Sequence, residues 1–356
     1  MYLGVNSMEK IDILSLSLDE LISVFSELGF PKFRAKQVYE WLHKHLAQSF
    51  DEMTNINKVM RAQLDDQFHI LTCKVERKLV SSLDGTIKYL YELYDGEYVE
   101  SVLMQYNHGY SICISTQVGC KMGCTFCAST IGGCRRNLHP SEMLSQIYSA
   151  QRDAGVRISN VVLMGMGEPL DNYDNVMKFL ELVSSENGIN IGLRHISLST
   201  CGLVPKIYEL ADKKLQLTLS VSLHAPNDEL RSKTMPINKR WEIDELIKAC
   251  KYYFSQTSRR ISFEYALIDG VNDTEKCADE LVKLLRGMVC HVNLIPVNTV
   301  EESGYKRSNK KNVKDFCDYL NNCGINTTVR RTLGSDINAS CGQLRKKVID
   351  SRGENA

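Results

Sequence analysis

The sequence predicts an α/β fold in which a small helical N-terminal domain precedes a partial (βα)6 TIM-like barrel. From residue 111 onward, short apolar stretches alternate with segments of helical periodicity, as expected for parallel strands joined by helices. Three amphipathic segments and two Asp-Gly pairs come before them. We therefore expect a helical accessory domain over 1–75, a β-hairpin linker region over 76–108, the barrel over 109–345 and a C-terminal tail over 346–356.

The N-terminal segment carries clear helix signals. Ser17-Leu-Asp-Glu20 is a capping-box pattern, and Gly29 marks the expected end of the helix that it begins. A second apolar period at residues 35–42 predicts another helix, and a third is expected from about residue 57 to residue 68. These three short helices form the predicted accessory domain.

The hairpin region and the barrel strands follow in order. Asp84-Gly85 and Asp95-Gly96 are hairpin turn signals, and the strand after the second turn carries Glu100. The barrel strands are expected at Ile112–Ser115, Asn160–Met164, His195–Thr200, Leu215–Leu223, Arg260–Leu267 and His291–Pro296. Chemistry in parallel α/β folds is found at the carboxyl ends of the strands, so the residues after each strand are the candidates for a site.

Composition narrows the class of protein. The 356 residues are 43% hydrophobic, which is enough for a substantial core, and no apolar run approaches the length needed to cross a bilayer. Thirteen cysteines, an odd number, without a secretory leader favour a reducing cytoplasm over a secreted disulfide scaffold. We expect a cytoplasmic protein with no membrane partner and a monomeric state.

Charge does not by itself indicate a nucleic-acid partner. The chain has 43 basic and 43 acidic residues, so it has no overall basic surplus. Local basic clusters are either solvated surface or RNA contacts, and the same two alternatives hold for the basic face of the N-terminal helices. The clusters are Arg135-Arg136, Lys239-Arg240, Lys306-Arg307, Arg330-Arg331 and Arg345–Lys347.

Three cysteines after the first barrel strand form the most informative motif. Cys120, Cys124 and Cys127 have the spacing Cys-x3-Cys-x2-Cys, with no fourth cysteine at a matching distance. A structural zinc site is normally closed by four ligands, and Cys134, which follows two glycines, is a poor fourth. An iron-sulfur cube held by three cysteines instead leaves one iron open for another ligand. The motif therefore favours a [4Fe-4S] cluster.

This cysteine motif, with Phe126 before its last cysteine, resembles the signature of radical S-adenosylmethionine (SAM) enzymes, in which SAM binds the open iron. Further motifs resemble one family within them, the RlmN/Cfr family of RNA adenine methyltransferases, on its adenine-C2 branch. These are Ser115–Cys120, Met164–Leu170, Ser222–Asn227, Met235–Asn238 and Ser340–Leu344. The resemblance implies a radical SAM barrel that methylates 23S rRNA and tRNA adenosines, using two SAM molecules per turnover.

The resemblance also implies three catalytic residues. Cys341 first takes a methyl group from SAM, because electron-poor C2 of adenine cannot act as a nucleophile. A radical from a second SAM then removes a hydrogen atom from this methyl group, and the resulting sulfur-bound methylene radical adds to C2 and links RNA to Cys341. Glu100 accepts the C2 proton, and Cys113 resolves the adduct by forming a transient disulfide with Cys341. A cellular reductant such as flavodoxin is implied as a partner. The implied SAM contacts are Gly167, Glu168, Ser199, Ser222, Leu223, His224 and Asn298.

From residue type alone, each of these assignments has a plainer alternative. Glu100 reads as an exposed strand carboxylate, His224 as a satisfied polar residue, and Cys113 or Cys341 as a buried small hydrophobe. Three other functions also remain open: adenine-C8 methylation as in Cfr, a metal-stabilised non-catalytic RNA-binding protein, and radical chemistry on a small molecule. Fine motif detail, including Gly167-Glu-Pro169 and Ala128–Gly133, favours the C2 branch.

Overall fold

A computed structural model describes residues 10–297, 304–337 and 339 of the chain. Two predicted site residues, Asn298 and Cys341, lie outside the described residues. The N-terminal domain contains the three predicted helices, α1 (Leu18–Glu27), α2 (Lys32–His43) and α3 (Lys58–Gln67), and a short parallel pair, β1 (Ile11–Asp12) and β2 (Phe68–His69). The capping box at Ser17 is present, with its hydroxyl accepting from the Glu20 amide.

Beyond the N-terminal domain, the described residues form one ten-stranded sheet. Its first three strands are antiparallel: β3 (Lys74–Val80), β4 (Ile87–Glu92) and β5 (Tyr98–Tyr106). The parallel part consists of β6 (Gly109–Cys113), β9 (Ile158–Leu163), β10 (Ile196–Thr200), β11 (Thr218–Ser222), β12 (Ile261–Leu267), β13 (Cys290–Pro296) and β14 (Thr327–Val329). All six predicted barrel strands are present, and β14 is a seventh parallel strand that the sequence did not predict.

The order of strands in the sheet is β14-β13-β12-β11-β10-β9-β6-β5-β4-β3. The hairpin strands therefore extend the barrel sheet, since β5 pairs with β6 in antiparallel fashion. A second, two-stranded sheet joins β7 (Gln117–Gly119) to β8 (Cys134–Asn137) and encloses the cysteine motif. Among the described residues, the two ends of the large sheet do not pair, so the barrel is partial.

Within the described residues, seven further helices pack around the sheet, most of them in the crossovers between parallel strands. They are α4 (Pro140–Ala154), α5 (Tyr173–Ser184), α6 (Val204–Asp212), α7 (Asp228–Thr234), α8 (Ile243–Thr257), α9 (Glu275–Leu285) and α10 (Lys310–Asn322). Short polar side chains begin several of them, for example Asn227 at α7 and Thr274 at α9. In the described part of the chain, no helix is both long and apolar enough to span a membrane.

The N-terminal domain is docked on α4 through a buried polar contact. His43 at the end of α2 lies with its Nδ1 2.8 Å from the Tyr148 hydroxyl. Burial lowers the pKa of His43 to about 3, so the ring is neutral and can share one hydrogen bond without an uncompensated charge. The apolar core continues from this domain into the barrel, with Phe25, Leu42 and Ile147 in one cluster.

Candidate active site

The β7–β8 hairpin holds the cysteine loop at the carboxyl end of β6. The Cys120 amide donates to the Gly133 carbonyl at 3.0 Å, which closes the loop at its base. Gly119 has a φ of +83°, and a Cβ at this position would lie 2.0 Å from the Gly133 oxygen. Only glycine allows this close approach of the two backbones.

The three cysteines lie close enough for their charges to interact. Cys120 and Cys124 are buried and Cys127 is half-buried. Burial, and then the neighbouring Cys127, raise the pKa of Cys120 to about 12, and burial with both other cysteines raises the pKa of Cys124 as well. Thiolates packed in this way need a positively charged group to be stable, and metal ligation supplies it. The donor set therefore fits an iron-sulfur cluster.

The three thiols are not arranged around one point. Among the described residues, no three His, Cys, Asp or Glu side chains converge as they would on one metal ion. A cube binds each cysteine at a different iron and does not require that convergence. Phe126, within the motif, makes an edge contact with the His224 ring at a centroid distance of 4.9 Å. The cysteine loop thus packs against the residues that follow β11.

Glu168 lies after β9 in a tightly packed turn. Its two carboxylate oxygens accept from the Cys201 amide at 2.7 Å and the Leu170 amide at 3.0 Å. Burial nevertheless raises the pKa of Glu168, so its charge is incompletely compensated. The preceding Gly167 has a φ of +105°, and a Cβ there would lie 2.7 Å from the Gln117 side chain. A buried carboxylate of this kind fits the ammonium group of SAM.

Ser199 and Ser222 lie on neighbouring parallel strands near the same sheet edge. Ser199 is in β10 opposite Ser220, and Ser222 ends β11. Leu223 follows and is buried, and His224 has a left-handed φ of +55°. These residues therefore lie at the carboxyl ends of the strands, near Glu168 and the cysteine loop, as expected from the sequence.

His224 is a neutral residue with structural partners. Its Nδ1 accepts from the Ala266 amide at 2.9 Å, and its carbonyl accepts from Asn272 Nδ2 at 2.7 Å. Burial, with a smaller effect of Arg231, lowers the pKa of His224 to about 3. The plainer alternative, a satisfied polar residue, is therefore present in the structure. A SAM contact through the same ring stays a prediction.

Arg231 organises the same region, and residue-by-residue sequence reasoning missed it. Its guanidinium is fully buried and donates to the carbonyls of Cys201 at 2.6 Å, Ser222 at 3.1 Å and Leu223 at 3.2 Å. It also donates to Asn238 Oδ1 at 2.9 Å. This explains the Met235–Asn238 motif, whose Asn completes the hydrogen bonding of a cation that ties β11 to the loop after β10.

Glu100 and Cys113 lie on one face of the antiparallel part of the sheet. Cys113 in β6 is paired with Val102 in β5, and Val102 is paired with Lys88 in β4. Opposite residues point to the same face of a sheet, as do residues two apart on one strand. Glu100 therefore shares this face, and its Oε2 lies 2.9 Å from Lys88 Nζ. Both charged side chains are buried, so Glu100 is not the exposed strand carboxylate that its residue type alone would favour.

The chain returns to this face near its C-terminus. Leu333 and Ala339 pack against an apolar cluster formed by Val102, Met104 and Cys113. Ala339 is followed two residues later by Cys341, which lies outside the described part of the chain. The structure thus brings Glu100, Cys113 and the segment before Cys341 together, while the cysteine loop and Glu168 lie at the adjoining strand ends.

Comparison with known proteins agrees with this arrangement. Residues 114–281 match the model of the radical SAM superfamily, and residues 11–70 match that of the ribosomal RNA large subunit methyltransferase N-terminal domain. A protein of Alkaliphilus oremlandii named "Probable dual-specificity RNA methyltransferase RlmN" is 57% identical over 97% of this chain and 100% of its own. The chain belongs to the RlmN family of radical SAM enzymes. Its fold and its predicted family are thereby confirmed.

Two further proteins are similar to this chain over almost its whole length. A Clostridium novyi protein with the same name is 54% identical over 95% of this chain and 98% of its own. The crystal structure of a radical SAM methyltransferase from Sphaerobacter thermophilus superposes with a TM-score of 0.90 at 44% identity, covering 94% of this chain and 98% of that one. As an RlmN-family enzyme, the chain uses a [4Fe-4S] cluster and SAM.

Proposed function

We propose that this protein methylates C2 of an adenosine in 23S rRNA and in tRNA. The single observation that carries the proposal is the buried sheet face on which Glu100 and Cys113 lie, with Ala339 packed against the same apolar cluster. A proton acceptor and a thiol held together in this way match the two residues that the RlmN resemblance implies. The two relatives described above are named as probable dual-specificity RNA methyltransferases.

Cys120, Cys124 and Cys127 are the proposed cluster ligands. Gly167 and Glu168 are proposed to hold SAM. The other proposed SAM contacts are Ser199, Ser222, Leu223 and His224 at the strand ends, and Asn298, which lies outside the described residues. When bound, the cluster and SAM supply the methyl group and the one-electron chemistry that an electron-poor ring carbon requires.

Glu100 is the proposed acceptor of the C2 proton. Its carboxylate contacts the Lys88 ammonium at 2.9 Å inside a buried sheet face. A proton acceptor must be held where it can reach the proton, and the Lys88 contact fixes the position of the Glu100 carboxylate oxygens. Burial also keeps water away from the Glu100 carboxylate. The side chain is therefore held in position before the adenine of the RNA arrives.

Cys341 and Cys113 are the proposed carrier and resolving thiols. Cys341 carries the methyl group. In the one-electron chemistry that the cluster and SAM would supply, this carbon loses a hydrogen atom and bonds to C2 of adenine, and C2 then loses a proton to Glu100 and one electron. The Cys113 thiolate then attacks the Cys341 sulfur: the sulfur–sulfur bond forms, the sulfur–carbon bond breaks, and its electron pair stays on the carbon, which takes up a proton. Two electrons from a thiol reductant later restore both cysteines.

The test is anaerobic incubation of the reconstituted enzyme with SAM, a reductant and unmodified 23S rRNA or tRNA, followed by mass spectrometry of the digested nucleosides. We expect 2-methyladenosine from both RNAs. Methylation confined to C8 would overturn the proposed position, and SAM cleavage without RNA methylation would overturn the proposed substrate. Flavodoxin is the proposed electron donor, and the enzyme is proposed to act as a cytoplasmic monomer. Omission of flavodoxin and a sedimentation experiment test the first and the last of these.

A further inference from the structure

The turn between β3 and β4 contacts a segment about 250 residues further along the chain. The turn consists of Ser81–Thr86, and the distant segment is Gly334–Asp336. We call the contacts between them the turn clasp. Because β4 continues from this turn to Lys88, the turn clasp is attached directly to the strand that carries the ion-pair partner of Glu100.

Asp336 forms one half of the turn clasp. Its Oδ1 accepts from the Ser81 hydroxyl at 2.7 Å, and its Oδ2 accepts from the Ser82 amide at 2.9 Å and the Ser82 hydroxyl at 3.1 Å. Hydrogen bonding from Ser81 is the largest cause that lowers the pKa of Asp336. The ionised side chain therefore acts as a cap for three donors of the turn.

Asp84 forms the other half in the opposite direction. Its Oδ2 accepts from the Gly334 amide at 2.9 Å, and its Oδ1 accepts from the Thr86 amide at 3.0 Å. Burial opposes ionisation, but these hydrogen bonds lower the pKa of Asp84 to about 2. Each segment thus supplies one carboxylate to the backbone of the other, which fixes both their distance and their register.

The packing around Gly334 transmits this constraint towards Ala339. Gly334 has a φ of +60°, and a Cβ there would lie 2.7 Å from the Ala339 side chain and 3.1 Å from Thr86. The Gly334 carbonyl also accepts from the Ala339 amide at 3.0 Å. The turn clasp and Ala339 are therefore one tightly packed unit, and Ala339 contacts the cluster that contains Cys113.

We propose that Asp84 and Asp336 are positioning residues that hold the segment before Cys341 against the face carrying Cys113. This inference rests on the proposed function. Two residues of chain span at most about 7 Å, so fixing Ala339 limits how far Cys341 can move from that face. Disulfide formation requires the two Cα atoms to come within about 7 Å with matching side-chain directions. Holding the segment raises the effective concentration of one thiol at the other.

The test uses Asp336→Ala in the reconstituted holoenzyme, with Asp315→Ala as the matched control. Asp315 is an exposed acid on α10 that pairs with Lys311, away from the turn clasp. The RNA-free enzymes are exposed to oxidised glutathione under anaerobic conditions, and the Cys113–Cys341 disulfide is followed by peptide mapping. We expect Asp336→Ala to slow its formation by about tenfold or more, as effective concentration falls, and Asp315→Ala to leave it unchanged.

A second readout separates positioning from general damage. During turnover on RNA, Asp336→Ala should accumulate a covalent RNA adduct although Cys113 is present, and it should add nothing to the adduct of a Cys113→Ala variant. Asp84→Asn removes only the charge of one carboxylate and keeps the size of the side chain. It is the second variant if Asp336→Ala melts at a lower temperature. Wild-type rates of disulfide formation in both variants would overturn the inference. Absence of RNA methylation by the wild-type enzyme would instead overturn the proposed function, and the disulfide comparison would still stand.

Discussion

Lys88 and Glu100 form a buried ion pair, with 2.9 Å between Nζ and Oε2, and their side chains are 1% and 2% exposed. The pair lies in the same sheet face as Cys113, because Lys88, Val102 and Cys113 are paired in sequence across β4, β5 and β6. A buried ion pair contributes little to stability compared with well-packed apolar residues. Its position beside a proposed resolving thiol suits a role in proton transfer.

Replacement of Glu100 by Gln should abolish RNA methylation while sparing the earlier methyl transfer to Cys341. The amide keeps the shape of the side chain but cannot accept the C2 proton, and loss of a positioned base costs roughly 100-fold or more in rate. Peptide mass spectrometry measures the methyl group on Cys341, and nucleoside analysis measures the RNA product. Glu92→Gln, in the neighbouring strand, is the control. Equal rates for Glu100→Gln and Glu92→Gln would contradict the role of Glu100.

Replacement of Lys88 by Met should destabilise the fold by about 3–5 kcal/mol, because it leaves the Glu100 carboxylate buried without its cation. The double variant Lys88→Met/Glu100→Gln removes both charges and should recover most of that loss. Urea denaturation of the four proteins of this cycle gives the coupling energy directly. A double variant that is less stable than Lys88→Met alone would show that the ion pair is not the cause.

Replacement of Cys113 by Ala should trap RNA on the enzyme. The adduct through Cys341 can form without Cys113, but its release needs the attacking sulfur. A nuclease-resistant nucleotide on the Cys341 peptide is the expected product, detected by denaturing gel shift and mass spectrometry. Cys290→Ala alters another buried strand cysteine, in β13, and should turn over normally. Multiple turnover by Cys113→Ala would remove Cys113 from the mechanism.

Local signals in the sequence predicted the elements that are determined locally. The capping box at Ser17 defines the start of α1, and the Asp-Gly pairs lie in the turns on either side of β4. The barrel strands were recognisable because each carries buried apolar residues, which in β10 and β13 alternate with half-buried ones. In contrast, β14 has only three residues, Thr327–Val329, and two of them are exposed. Such a segment has too few residues to show a period.

The site was less predictable where it depends on pairing between distant segments. A lysine within a strand reads as solvent-exposed, so nothing in residue type marks Lys88 as buried beside Glu100. Arg231 reads as an ordinary polar residue of a short helix. In the structure, four hydrogen bonds hold its buried guanidinium against the residues at the ends of β10 and β11. The turn clasp depends on two aspartates about 250 residues apart in sequence, and their contact follows only from the folded sheet.

Replacement of Gly119 by Ala should lower the iron and sulfide content of the reconstituted protein. A Cβ at Gly119 would lie 2.0 Å from the Gly133 carbonyl oxygen, so the base of the loop that carries Cys120 must open. Gly132→Ala is a closely matched control, because Gly132 has a φ of +86° against +83° at Gly119, yet a Cβ there has no atom within 4 Å. Both variants carry the same backbone strain, of about 1–2 kcal/mol. Only Gly119→Ala adds a collision with the cysteine loop.

Colorimetric iron and sulfide assays after anaerobic reconstitution measure the cluster content of the two variants. Equal losses in the two variants would mean that strain alone, and not the closed base of the loop, limits cluster binding.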